Sequence, residues 1–142
     1  MKNNVLISLV STQWQDGEKS ETELLTKAEY RKTKDSLIIS YEDTSATGFE
    51  GCVTTLKVEK NLAASIVRKG TANSSLNLEM GKKHFCQYGT PYGDFRIGVY
   101  THSIKNDLEN GGNLYMKYTL DINSSHLSDN EIILIIENNI KD

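Results

Sequence analysis

Leu114-Tyr115-Met116-Lys117-Tyr118-Thr119-Leu120-Asp121-Ile122 decides the fold class. Leu114, Met116, Tyr118, Leu120 and Ile122 recur at every second position, with Lys117, Thr119 and Asp121 between them. A period of two belongs to a strand with one face on a core, because successive side chains of an extended backbone point to opposite sides. The same alternation recurs in Leu76-Asn77-Leu78-Glu79-Met80 and in Phe95, Ile97 and Val99 against Arg96, Gly98 and Tyr100. Leu37, Ile39 and Tyr41 alternate with Ile38, Ser40 and Glu42 in the same way. No stretch sustains a 3.6-residue apolar period over helical length.

Turn chemistry separates these runs: Asp16-Gly17, Lys34-Asp35, Lys60-Asn61, Gly81-Lys82, Thr90-Pro91-Tyr92-Gly93 and Asn110-Gly111-Gly112. The punctuation predicts strands over 5–14, 21–33, 37–42, 52–59, 62–69, 75–80, 83–88, 94–104, 113–123 and 131–136. Short helical turns are expected only at 104–108 or 126–130. Connections this short make sequence neighbours antiparallel partners. Closure into a barrel then removes the exposed edges that so many strands would otherwise leave. The expectation is one all-β domain over 1–142, an antiparallel barrel of about 8–10 strands, with Phe95, Ile97, Val99, Leu114, Met116 and Leu120 in its core.

The bulk properties narrow the function classes. The 142 residues carry a formal charge of -3, and the 16 basic residues are dispersed, so no basic stripe exists to neutralise a nucleic-acid backbone. No apolar run approaches the ~20 residues of a membrane helix. The apolar stretch 5–10 is short, is interrupted by Ser8 and lacks a leader's cleavage pattern. With only Cys52 and Cys86, reduced thiols and a cytoplasmic location are expected.

The segment Gly81-Lys82-Lys83-His84, followed by Thr90-Pro91-Tyr92-Gly93-Asp94-Phe95 and Gly98-Val99-Tyr100-Thr101, resembles the YwiB-like family of uncharacterised bacterial proteins. Glu23-Leu24-Leu25-Thr26, Thr47-Gly48-Phe49-Glu50-Gly51, Thr54-Thr55-Leu56-Lys57-Val58 and Tyr118-Thr119-Leu120-Asp121-Ile122-Asn123 agree with it in order along the chain. The resemblance implies a lipocalin-like (calycin) β-barrel, a domain of unknown function with no established activity. It brings no catalytic or binding residues with it.

Chemistry-bearing residues are therefore weighed one by one. His84 and Cys86 share a strand face, continued by Tyr88, and both are zinc-ligand types. No CxxC or HxxxH accompanies them, and Cys52 or His102 could complete a site only through tertiary placement, so no metal is expected. As a nucleophilic pair they lack the cationic setting and oxyanion donors that an activated thiolate needs. Gly111-Gly112 opens no helix and so cradles no phosphate, and Asp107 and Glu109 read as turn residues.

Arg68 is the more telling residue. If Ala64, Ile66 and Arg68 share the inner face, a permanently charged guanidinium points into the barrel and needs a carboxylate, water or an anionic ligand. If Ala63, Ser65 and Val67 face inward, Arg68 is solvated. Alternation alone leaves both open. Strand tyrosines supply a ring and a hydroxyl suited to a cavity wall. The candidate ligand-binding set is Arg68, His84, Tyr88, Tyr100 and Tyr118, with no catalytic residue, no metal and no cofactor. The expected function is a non-enzymatic barrel for one small apolar, amphipathic or anionic ligand. The alternative is a packed barrel acting as a protein-interaction module. The run 132–136, apolar on both faces, marks where a homodimer would form through an exposed strand.

Overall fold

A computed structural model describes residues 2–47, 49–60, 62–90 and 93–140. Pro91 and Tyr92 of the expected turn, Asn61 and Gly48 lie outside them. The strands are β1 (Lys2–Gln15), β2 (Glu18–Lys32), β3 (Ser36–Glu42), β4 (Val53–Glu59), β5 (Ala63–Lys69), β6 (Ser74–Glu79), β7 (Lys83–Thr90), β8 (Gly93–Asn106), β9 (Asn113–Ile122) and β10 (Ser125–Ile140). Each pairs antiparallel with its sequence neighbour, and β10 pairs with β1 to close the barrel. Strands occupy more than half of the chain, as the period-two pattern requires.

The expected helix at 126–130 is instead the start of β10. Its hairpin turn is made by Asn123 and Ser124, both with positive φ (53° and 66°), a two-residue left-handed turn without glycine. The other short helical element expected, at 104–108, is a single 3-10 turn shifted to Leu108–Asn110. A second 3-10 turn, Ser45–Thr47, lies between β3 and β4.

One end of the barrel is solid. Val5, Ile7, Ile39, Val58, Leu78, Val99, Leu114, Met116 and Leu134 are all buried, each placed there by the inward half of its strand's alternation. Phe95 departs from expectation: it is exposed although Ile97 and Val99 on the same face are buried. It lies three residues beyond Gly98↔Asp121, where pairing with β9 stops, so no opposite wall covers it.

Two irregularities shape the other end. The β2–β3 ladder covers only Ala28–Lys32, so the rest of the long β1–β2 hairpin rises past β3. The segment 43–52 folds back there, held by Asp43 N–H to Cys52 O (2.8 Å) and Cys52 N–H to Phe49 O (3.0 Å). Between β6 and β7 the regular ladder has the single pair Ser74↔Tyr88. Lower in that seam the Asn77 N–H donates to Cys86 Sγ at 3.3 Å.

Candidate ligand site at one end of the barrel

The β4–β5–β6 register places Thr54 beside Arg68 and Arg68 beside Ser74. Ala64 and Ile66 are buried and Arg68 lines an internal cavity, so the structure settles the open question of the strand's faces in favour of the inward arginine. Its side chain is 15% exposed. The partner that alternation could not supply is Asp43, just past β3, whose side chain is fully buried.

The polar groups form a relay. Arg68 Nε donates to Thr54 Oγ1 at 3.1 Å, and the Thr54 hydroxyl in turn donates to Asp43 Oδ2 in a short hydrogen bond. The direct Arg68 Nε to Asp43 Oδ2 distance is 3.5 Å, at the outer limit of such contacts. Thr47 Oγ1 donates to the other carboxylate oxygen at 3.0 Å, which ties the 43–52 segment to the same centre. The Phe49 ring stacks 3.8 Å from the guanidinium carbon. Among the described residues, the guanidinium's hydrogen bonds all leave from Nε, and its two terminal nitrogens are unengaged.

The cavity beside it has a volume of about 190 Å³. Its apolar floor includes Leu9, Leu56, Ile66 and Leu120, and its polar wall includes Gln13, Ser74, Tyr41, Tyr88, Tyr118 and Asn130. Burial raises the Tyr41 phenol to about 12, with the nearby Asp43 carboxylate adding to the rise and Arg68 opposing it. Tyr118 is raised too, by burial first and then by Tyr88. Both hydroxyls are therefore neutral donors at any ordinary pH.

Of the five residues singled out from sequence, the structure brings Arg68, Tyr88 and Tyr118 together. It places His84 and Tyr100 elsewhere. His84 shares the face of Cys86 and Tyr88 but sits toward the opposite end of β7. Its Nε2 meets Glu79 Oε1 across the seam at 3.1 Å. Tyr100 is on the outer face of β8, with its ring edge-on to His102 at 4.9 Å, because Val99 beside it takes the inward position. Asp43, Thr54, Phe49, Tyr41 and Asn130 were not legible as site residues. Tyr41 carried the tyrosine signal, whereas Asp43 and Phe49 sit in a segment without periodicity.

The two thiols lie apart, both buried and unpaired. The Thr71 hydroxyl beside Cys52 lowers that thiol, whereas burial pushes Cys86 up. Among the described residues no group of three or more His, Cys, Asp or Glu is placed to hold a metal ion. On the outer wall Thr119 Oγ1 donates to Asp129 at 2.6 Å and meets His102 Nε2 at 2.7 Å. The hydroxyl proton points at the carboxylate, so the imidazole acts there as donor and not as base.

Fold and cavity together define the class: a closed, ten-stranded antiparallel barrel with one polar, arginine-bearing end. The chain belongs to the family described as Domain of unknown function (DUF1934), which matches residues 7–134. It is similar to the solved structure of the ywiB protein from Bacillus subtilis, with a TM-score of 0.73 and 19% sequence identity over 96% of this chain and 94% of that one. At that identity the likeness shows the shared fold. No curated protein matches the chain. No helix among the described residues is long and apolar enough to cross a membrane.

Proposed function

We propose that this protein is a non-enzymatic carrier or sensor whose barrel encloses one small anionic molecule held by Arg68. One observation carries the reading: among the described residues the terminal nitrogens of a mostly buried guanidinium take no hydrogen-bond partner, and they lie beside a cavity of about 190 Å³. A planar pair of N–H donors matches the two oxygens of a carboxylate. Asp43 and Thr54 hold Nε, so the arginine is oriented before any ligand arrives, which lowers the ordering cost of binding. Native mass spectrometry of protein purified from its own host tests this. Added small mass on the wild type that is absent from Arg68→Ala supports it; bare wild-type protein, together with no anion binding in titration, refutes it.

The interaction-module alternative is favoured by a different observation. Leu25 is 66% exposed and Ile135 37%, and both flank Ser8 in register on the outer wall, while Ile133 is half-buried. Glu23 and Lys27 stand on either side of Leu25, so two copies related by a two-fold axis would set opposite charges against each other. A dimer in light scattering that Leu25→Glu dissociates would support this reading, and a wild-type monomer at high concentration would end it.

A further inference from the structure

We infer that the ligand is a short hydroxylated monocarboxylate, and not an acyl-chain amphiphile. This rests on the ligand reading above and narrows it. The cavity's volume of about 190 Å³ is smaller than that of the pockets that take drug-sized ligands. Below its floor, Ile7, Leu78, Met116 and Leu134 are at most 1% exposed, so the barrel axis offers no channel for a hydrocarbon tail. The hydrocarbon tail of an anionic amphiphile therefore has no place below that floor.

Charge sets the head group. Among the described residues lining the cavity Arg68 is the one charged side chain, and the Asp43 carboxylate behind it already offsets part of its charge. A phosphate monoester would add nearly two further negative charges there, whereas a carboxylate adds one and meets the guanidinium in-plane.

The wall sets the rest of the molecule. Tyr118 is 7% exposed, and its hydroxyl takes no partner in the hydrogen bonds among the described residues. Among the described residues the Tyr88 hydroxyl takes no hydrogen-bond partner either. Asn130, 8% exposed, gives its amide N–H to Ser128 Oγ at 3.0 Å, which leaves its carbonyl oxygen for another donor. An apolar ligand would strip water from these groups without replacing the lost hydrogen bonds. Ligand hydroxyls would replace them.

The experiment uses three probes on the intact chain: D-glycerate, propionate and palmitate, followed by calorimetry or saturation-transfer NMR. Glycerate should bind about fivefold or more tighter than propionate, and palmitate should not bind. In Tyr118→Phe the glycerate preference should fall to within about twofold, with propionate unchanged, as a double-mutant comparison of ligand and wall hydroxyls requires. Near-ultraviolet circular dichroism confirms that the variant is folded, and Asn130→Leu repeats the test if it is not. Palmitate binding with glycerate failing, or equal binding of glycerate and propionate, overturns the hydroxycarboxylate assignment while leaving a ligand-binding barrel in place. Failure of all three probes overturns the assignment as well, and the native mass measurement then decides the broader reading independently.

Discussion

Arg68 couples binding to stability through Asp43. Truncation to Ala removes a cation from beside a fully buried carboxylate. Thr47 and Thr54 still donate to that carboxylate, so the loss is partial. Arg68→Ala should lower unfolding free energy by about 1–3 kcal/mol and weaken a bound anion by about 2–5 kcal/mol, the range for a desolvated pair. Urea titration reads the first and calorimetry the second; an Arg68→Ala protein as stable as wild type would show that the relay contributes nothing. The phenols give a pH signature. Tyr41 keeps its proton to about 12 in the fold, whereas an unfolded tyrosine releases it near 10. A raised folded value means this contribution is intact below pH ~10 and is lost as pH climbs from about 10 towards 12. Urea midpoints should therefore decline across that window, and Tyr41→Phe should flatten the decline. An identical slope in the variant would remove Tyr41 from the account.

At the scale of elements, two glycines show how backbone and side chain differ as obstacles. Gly70, at the end of β5, has a φ of 144°, and a Cβ there would run into Gly51 O and Cys52 Cα. It is the point where the β5–β6 turn passes under the segment that carries Phe49. Gly98 on β8 lies beneath the Lys83–Asp121 ion pair (2.8 Å), and its Cβ would meet Lys83 Cε at 2.5 Å and Asp121 Oδ1 at 2.7 Å. Side-chain ends move and backbone does not. Gly70→Ala should cost about 2–4 kcal/mol through strain and displacement of the 43–52 segment. Gly98→Ala should cost about 1 kcal/mol or less as the partly exposed ion pair swings aside. Thermal melts of the two variants check the order, and a reversed order would contradict the packing described.

For the whole molecule, closure is made by the two chain ends. β1 pairs with β10 from Asn4↔Ile140 to Trp14↔Asp129, the most non-local contact a chain can form. Folding should therefore be slow for its size, on the order of milliseconds to seconds, because loop-closure entropy is spent before that ladder forms. Stopped-flow refolding measures it, and microsecond folding would mean that closure is not rate-limiting. Removing β10 would leave β1 and β9 as long open edges and should yield an aggregating chain.

Much of this architecture was present in the one-dimensional pattern. Alternation and turn residues marked all ten strands, and the same alternation put Arg68, Ile66 and Ala64 on one side. The turn at Asn123-Ser124 escaped notice because neither residue is the glycine that left-handed turns usually use, so the start of β10 read as a candidate helix. Period two relates side chains to one another but leaves open which set faces inward, and it says nothing about neighbours across the barrel. Tertiary structure decided those points. Strand register carried Asp43, Thr54 and Arg68 into hydrogen-bonding range from three separate parts of the chain. The end of β9 pairing left Phe95 uncovered, and the seam between β6 and β7 turned His84 to Glu79. The sequence by itself determined a closed β-barrel with an arginine on one strand face; the register of closure determined that this arginine is held by a buried aspartate beside a polar cavity, because only closure sets which distant strands meet.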